Sequence, residues 1–146
     1  MATSSKPMST GTPKIENLIA AVFDTHVWVW SAAGDARAGK LRAFSGTAVV
    51  SAISQWEVSM LAMKGRLVLK PDEETWFSAN LAPPVSLAPL SAEISLTSCR
   101  LPDFHGDPAD RIIVATAMTM GIPLITADEK IIGWNEIHRV IQVVEL

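Results

Sequence analysis

Residues 101–134, LPDFHGDPADRIIVATAMTMGIPLITADEKIIGW, constrain the fold of this chain more than any other stretch. A helix opener, an apolar helix and a short apolar strand follow one another there with little between them. Asp107-Pro108 opens the helix, because Asp is a favoured N-cap and Pro suits the first helical position. Asp110 then falls in the first turn, and Ile112, Ile113, Val114, Ala115, Ala117 and Met118 make the helix apolar nearly all round. Such a helix is expected inside the domain. Gly121 supplies its stop, and Ile122-Pro123-Leu124-Ile125 has the character of a buried parallel strand. That strand ends at Thr126-Ala127, with Asp128 just beyond. In open α/β sheets the carboxyl edge is where ligands bind.

The rest of the chain repeats the alternation. Residues 18–23 (LIAAVF) read as a buried strand closed by Asp24, and Asp24 or Thr25 can cap the helix that follows. Gly34-Asp35 breaks that helix, and a poorer one is expected over residues 36–44. Residues 47–50 form a second strand ending at Ser51, and Ser54-Gln-Trp-Glu57 has the form of a capping box opening a helix to Lys64. Asp72 caps a short helix with Trp76 and Phe77, residues 85–90 follow Pro83-Pro84 as a brief strand, and Ser91 starts a helix ending before Pro102. Residues 140–144 (VIQVV) read as the last strand, at the sheet edge. Strands alternating with helices predict a three-layer α/β/α domain around a mostly parallel sheet. It is expected over residues 18–146, with residues 1–17, rich in Ser, Thr, Pro and Gly, as a disordered tail or extension.

Composition bounds the function. The net charge of −3 gives no basic footprint, so any contact with nucleic acid must be local or metal-mediated. Apolar residues make up 49% of the chain and charged ones 18%, lean enough to predict an apolar patch covered by another subunit or partner. The single cysteine, Cys99, rules out an internal disulfide and a Cys-based zinc cluster and fits a reducing, cytoplasmic setting. No run is long and apolar enough for a membrane span, and the opening residues lack a signal-peptide core.

Four carboxylates recur beside long apolar elements: Asp24 after the first strand, Glu57 in the helix after the second, Asp110 in the buried helix and Asp128 after a later strand. Strand ends joined by right-handed crossovers share one edge, so the fold can gather them. Gathered carboxylates repel, and a divalent cation relieves the repulsion. Oxygen-only ligands without thiolates suit Mg²⁺ or Mn²⁺, which can activate a water against a phosphodiester. Each acid also has an ordinary structural reading. Glu57 can complete the capping box, Asp110 can favour the positive end of its helix, Asp107 is a good cap, and Asp24 and Asp128 can be loop acids.

Other constellations are weak. His26, His105 and His138 show no metal-ligand spacing, and no G-x-G-x-x-G, P-loop or G-x-S-x-G is present. The five Trp read as core or interface anchors. Trp28 and Trp30, two apart, cannot share one helix face, so one of them is expected at a subunit contact.

Four segments in order, FDTHVWVW (23–30), SAISQWEV (51–58), HGDPADRIIVATA (105–117) and ITAD (125–128), resemble the PIN-domain ribonucleases, and within them the VapC-type toxins of bacterial toxin–antitoxin pairs. The resemblance implies a parallel-sheet α/β/α fold and Mg²⁺- or Mn²⁺-dependent endonucleolytic cleavage of RNA, of the tRNA or rRNA class. It carries the acidic positions onto Asp24, Glu57, Asp110 and Asp128, and small polar residues near the metal onto Thr25 and Thr126. Asp107 matches an extra aspartate of secondary role. The chain departs from the branch at Gly106, where a basic residue is common. A homodimer and a small antitoxin protein covering the cleft are also implied.

Two other functions compete. A PIN-like binding or scaffold module without turnover needs no four gathered charges. An aspartyl-phosphate phosphatase needs a second Asp two residues after its nucleophile, where this chain has His26.

Overall fold

The computed structural model describes residues 12–146. Five strands, β1 (Ala20–Phe23), β2 (Thr47–Ser51), β3 (Val85–Ala88), β4 (Leu124–Thr126) and β5 (Val143–Glu145), form one sheet in the order β3-β2-β1-β4-β5. Every pairing is parallel. The helices are α1 (Thr25–Ala33), α2 (Ala52–Met63), α3 (Glu73–Asn80), α4 (Ala92–Ser98), α5 (Pro108–Met120) and α6 (Glu129–His138). The segment Ala36–Ala43 is a 3-10 helix, and a shorter 3-10 turn spans Ile15–Asn17.

The sheet is covered on both faces because its strands are apolar on both. Ala21, Phe23, Ala48, Val50 and Ile125 point into one core with Val27 and Trp28 of α1, Val58 of α2 and Phe77 of α3. Val22, Val49 and Leu124 point into the other with Ile113, Val114 and Ala117 of α5 and Ile131 and Trp134 of α6. The period of two along each strand thus sorts its residues between two helical layers. This is the expected α/β/α architecture. Helix α5 is buried along most of its length, although Met118 and Met120 at its end are 46% exposed. Gly121, at φ 65°, ends it in the left-handed conformation.

Two expectations need correcting, and one helix lies outside the sequence reading. Helix α2 starts at Ala52, capped by the Ser51 hydroxyl, which accepts from the Ile53 N–H at 3.2 Å. The Ser54–Glu57 capping box therefore does not form; strand β2 passes into α2 without a loop, and Ser54 lies inside the helix, fully buried. Residues 129–138, which have little apolar periodicity and an interior Gly133, nevertheless form α6, capped by Asp128. The expected tail gives way earlier than residue 18, since Ile15 is packed in the first core. Residues 1–11 lie outside the described residues.

Candidate active site

The strand order reverses at β1: β2 and β3 lie to one side, β4 and β5 to the other. A crevice opens at the carboxyl ends of the strands flanking such a switch point. The register Phe23↔Ile125 puts the next residues, Asp24 and Thr126, side by side there. Asp24 is buried at 6% exposure, and both its oxygens are held. Oδ1 accepts from the Thr25 N–H at 2.8 Å, and Oδ2 accepts from the Thr126 hydroxyl at 2.6 Å. The Thr126 oxygen in turn accepts from the Asp128 N–H at 3.0 Å, linking the first strand's acid to the loop after β4.

A second chain of hydrogen bonds fixes Glu57. Thr25 Oγ1 donates to Glu57 Oε1 at 2.5 Å and lies 2.8 Å from Ser54 Oγ. Thr25 has one hydroxyl proton, so with that proton on Glu57 the Ser54 hydroxyl is the donor to Thr25. Ser54, one turn before Glu57 on α2, thus orients the threonine that orients the glutamate. Sequence patterning assigned Ser54 to a cap; its burial beside Thr25 depends on where α2 begins, which the pattern alone misplaced.

Three of the acids are helix N-caps. Asp24 caps α1, Asp107 caps α5 through the Asp110 N–H at 2.8 Å, and Asp128 caps α6 through the Lys130 N–H at 2.8 Å. Asp110 occupies the first turn of α5. Capping thus brings acids to one sheet edge, and the positive helix ends partly offset their mutual repulsion.

The offset is incomplete. Burial pushes the Asp110 carboxyl up to about 7, and the charges of Asp107, Asp128, Asp24 and Glu57 push it the same way. Burial also raises Glu57, reinforced by Asp107 and Asp24 and opposed by the Thr25 hydrogen bond. Asp24 is raised by burial and by Asp128, against its bonds from Thr126 and Thr25. All four sequence-designated acids, with Asp107, thus share one electrostatic neighbourhood. The one ion pair among the described residues, Arg37–Asp35, is elsewhere. His26, which shows no metal-ligand spacing in the sequence, lies near enough to act on both Asp24 and Glu57, lowering each.

The donors are carboxylate and hydroxyl oxygens with no thiolate, which fits a hard divalent cation. Raised carboxyl groups at one edge are what such a cation would discharge. Among the described residues, no three His, Cys, Asp or Glu side chains are grouped closely enough to hold an ion as they stand.

The PIN-domain family profile matches residues 21–134. A curated relative, Ribonuclease VapC22 of Mycobacterium tuberculosis, is 33% identical over 115 residues, covering 75% of this chain and 88% of that protein. The fold is shared with a toxin–antitoxin complex from Klebsiella pneumoniae (TM-score 0.64, 22% identity, 86% of this chain and 99% of that one). It is shared as well with VapBC2 from Rickettsia felis bound to a DNA fragment from their promoter (TM-score 0.64, 16% identity, 87% and 98%). With the profile spanning the strands and helices that build the acidic edge, the chain belongs to the PIN-domain family, among its VapC-type members.

Proposed function

We propose that the protein is a divalent-metal-dependent endoribonuclease, the toxin of a toxin–antitoxin pair, acting with Mg²⁺ or Mn²⁺ on RNA of the tRNA or rRNA class. The observation that carries this reading is the Asp110 carboxyl, pushed to about 7 by burial and by four neighbouring acids. Kinship with a protein named a ribonuclease supports RNA as the substrate.

In this reading Asp24, Glu57, Asp110 and Asp128 hold the cation. When bound, the cation supplies charge neutralisation for the phosphodiester and an acidified water for the attack. The other residues orient the ligands. Thr126 fixes one oxygen of Asp24, and the Ser54–Thr25 pair fixes one oxygen of Glu57. Asp107 aligns the first turn of α5, and with it Asp110.

The reading includes a homodimer and a small antitoxin partner. Apolar side chains left exposed, among them Met63 at 71%, Val68 at 74% and Ile137 at 78%, support covered surfaces in the assembled state. Among the described residues no helix is long and apolar enough to cross a membrane, which suits a cytoplasmic role. The test is RNA cleavage by purified, partner-free protein. Cleavage is expected with Mg²⁺ or Mn²⁺ and not with excess chelator. Binding of RNA without cleavage under either metal would favour a scaffold instead.

A further inference from the structure

An edge carrying five acids repels RNA, so the polymer needs a neighbouring surface that attracts it. His26 sits at the second position of α1, exposed, directly after Thr25. One turn on, the Trp30 ring lies with its centroid 6.1 Å from that of His26. Past the Gly34 turn the chain returns, and the Arg37 guanidinium lies 4.4 Å from the centre of the Trp30 ring. Imidazole, indole and guanidinium are therefore consecutive neighbours, the first of them beside the acids. Lys40 and Arg42 are exposed on the 3-10 segment that follows, which contains no acid between residues 36 and 43.

We propose that His26, Trp30 and Arg37 form the strip on which single-stranded RNA lies as it reaches the acidic edge. The proposal rests on the nuclease reading and adds the path of the substrate. Single strands are bound where cations track phosphates and aromatic or guanidinium planes stack on bases, without regard to sequence. His26 offers an N–H donor in either neutral tautomer, next to the carboxylates that act on a neighbouring phosphate. Arg37 is held by Asp35 through bonds of 3.0 and 2.8 Å, and its side chain is 63% exposed. An exposed pair of this kind is weak, and the guanidinium fork can exchange a carboxylate for a phosphate. The other basic group, Lys64, Arg66 and Lys70, follows the end of α2 away from Glu57. Among the described residues it has no cation–aromatic contact; those are made by Arg37 and Arg111.

The test is fluorescence anisotropy with a 5′-fluorescein-labelled single-stranded RNA of mixed sequence. The full chain carries Asp110→Asn to silence cleavage, and Mg²⁺ is present. Adding Arg37→Gln is expected to weaken binding and flatten its salt dependence, His26→Ala to weaken binding, and Trp30→Leu to weaken it at least about fivefold. Melting curves separate folding from binding for Trp30, which is partly buried; His26 and Arg37 are exposed, so their variants decide the matter. In the chain with Asp110 restored, the same variants should raise KM for RNA more than they lower kcat. Unchanged binding and KM in both His26→Ala and Arg37→Gln would overturn the strip while leaving the nuclease intact. Weakened binding in those variants, with no cleavage by the native chain under any metal, would retain the strip and overturn the nuclease reading.

Discussion

Asp110 pays for its position in the first turn of α5, because burial and four neighbouring acids resist its ionisation. In the folded chain it releases its proton near 7; in the unfolded chain it does so near the ordinary value of 3.8. Between those values the folded state binds the extra proton, so metal-free stability falls as pH rises through this window and stays low above it. Asp110→Asn removes the penalty. Its melting temperature should exceed that of the native chain at pH about 8, and the gain should shrink as pH drops through 7 towards 4. Saturating Mg²⁺ should reverse the order. A gain equally large at low pH would show that charge is not its source.

At Gly106 the structure has no room for a side chain. A Cβ there would meet Phe104 Cε1 at 2.3 Å, Phe104 Cζ at 2.6 Å and Asp110 Cβ at 3.0 Å. Phe104 is buried, edge-on to Trp134 with ring centroids 4.9 Å apart. Gly106→Ala should cost about 1–3 kcal/mol in urea unfolding. Combined with Phe104→Leu it should cost less than the sum of the two single changes. Strict additivity would contradict the packing argument.

At the scale of elements, α5 and β4 were legible because each signal has one physical meaning. Asp-Pro supplies a cap and a pre-set φ, the apolar run demands burial, and Gly121 permits the left-handed stop. Helix α2 was misread because Ser51 and Ser54 are both competent caps, and sequence alone does not say that β2 runs into the helix without a loop. Helix α6 was hidden by an interior Gly133, which costs about 1 kcal/mol relative to Ala in a helix, and by polar residues that blur the period. Its stability comes from Ile131 and Trp134 against the second core. For the same reason His26 escaped notice: its nearness to Glu57 spans two helices and belongs to no local pattern. Asp107, by contrast, can be tested as a cap. Asp107→Asn should change stability by only a few tenths of a kcal/mol and retain most RNA cleavage. Loss of cleavage with stability intact would move Asp107 from cap to ligand.

Across the whole molecule, the parallel sheet supplies the one edge at which acids far apart in sequence meet. The fold class and the gathering of acids at one edge are therefore legible together, since the reversal of strand order at β1 and helix capping both direct acids to that edge. Apolar residues left exposed on the finished fold underlie the expected dimer. Light scattering at micromolar concentration should give about twice the 15.7 kDa chain mass; a monomer would place those residues against the antitoxin instead.

The central claim is that the gathered acids work through a divalent cation on RNA. It is tested most directly by cleavage of a labelled RNA across a Mg²⁺ titration, comparing the native chain with Asp110→Asn. The native chain should cleave in proportion to metal occupancy and stop in chelator. The variant, folded and with its repulsion relieved, should be at least about a hundredfold slower at every concentration, because hydrated Mg²⁺ depends on one or two anchoring carboxylates. Equal cleavage by both chains, or cleavage by the native chain in excess chelator, would contradict it.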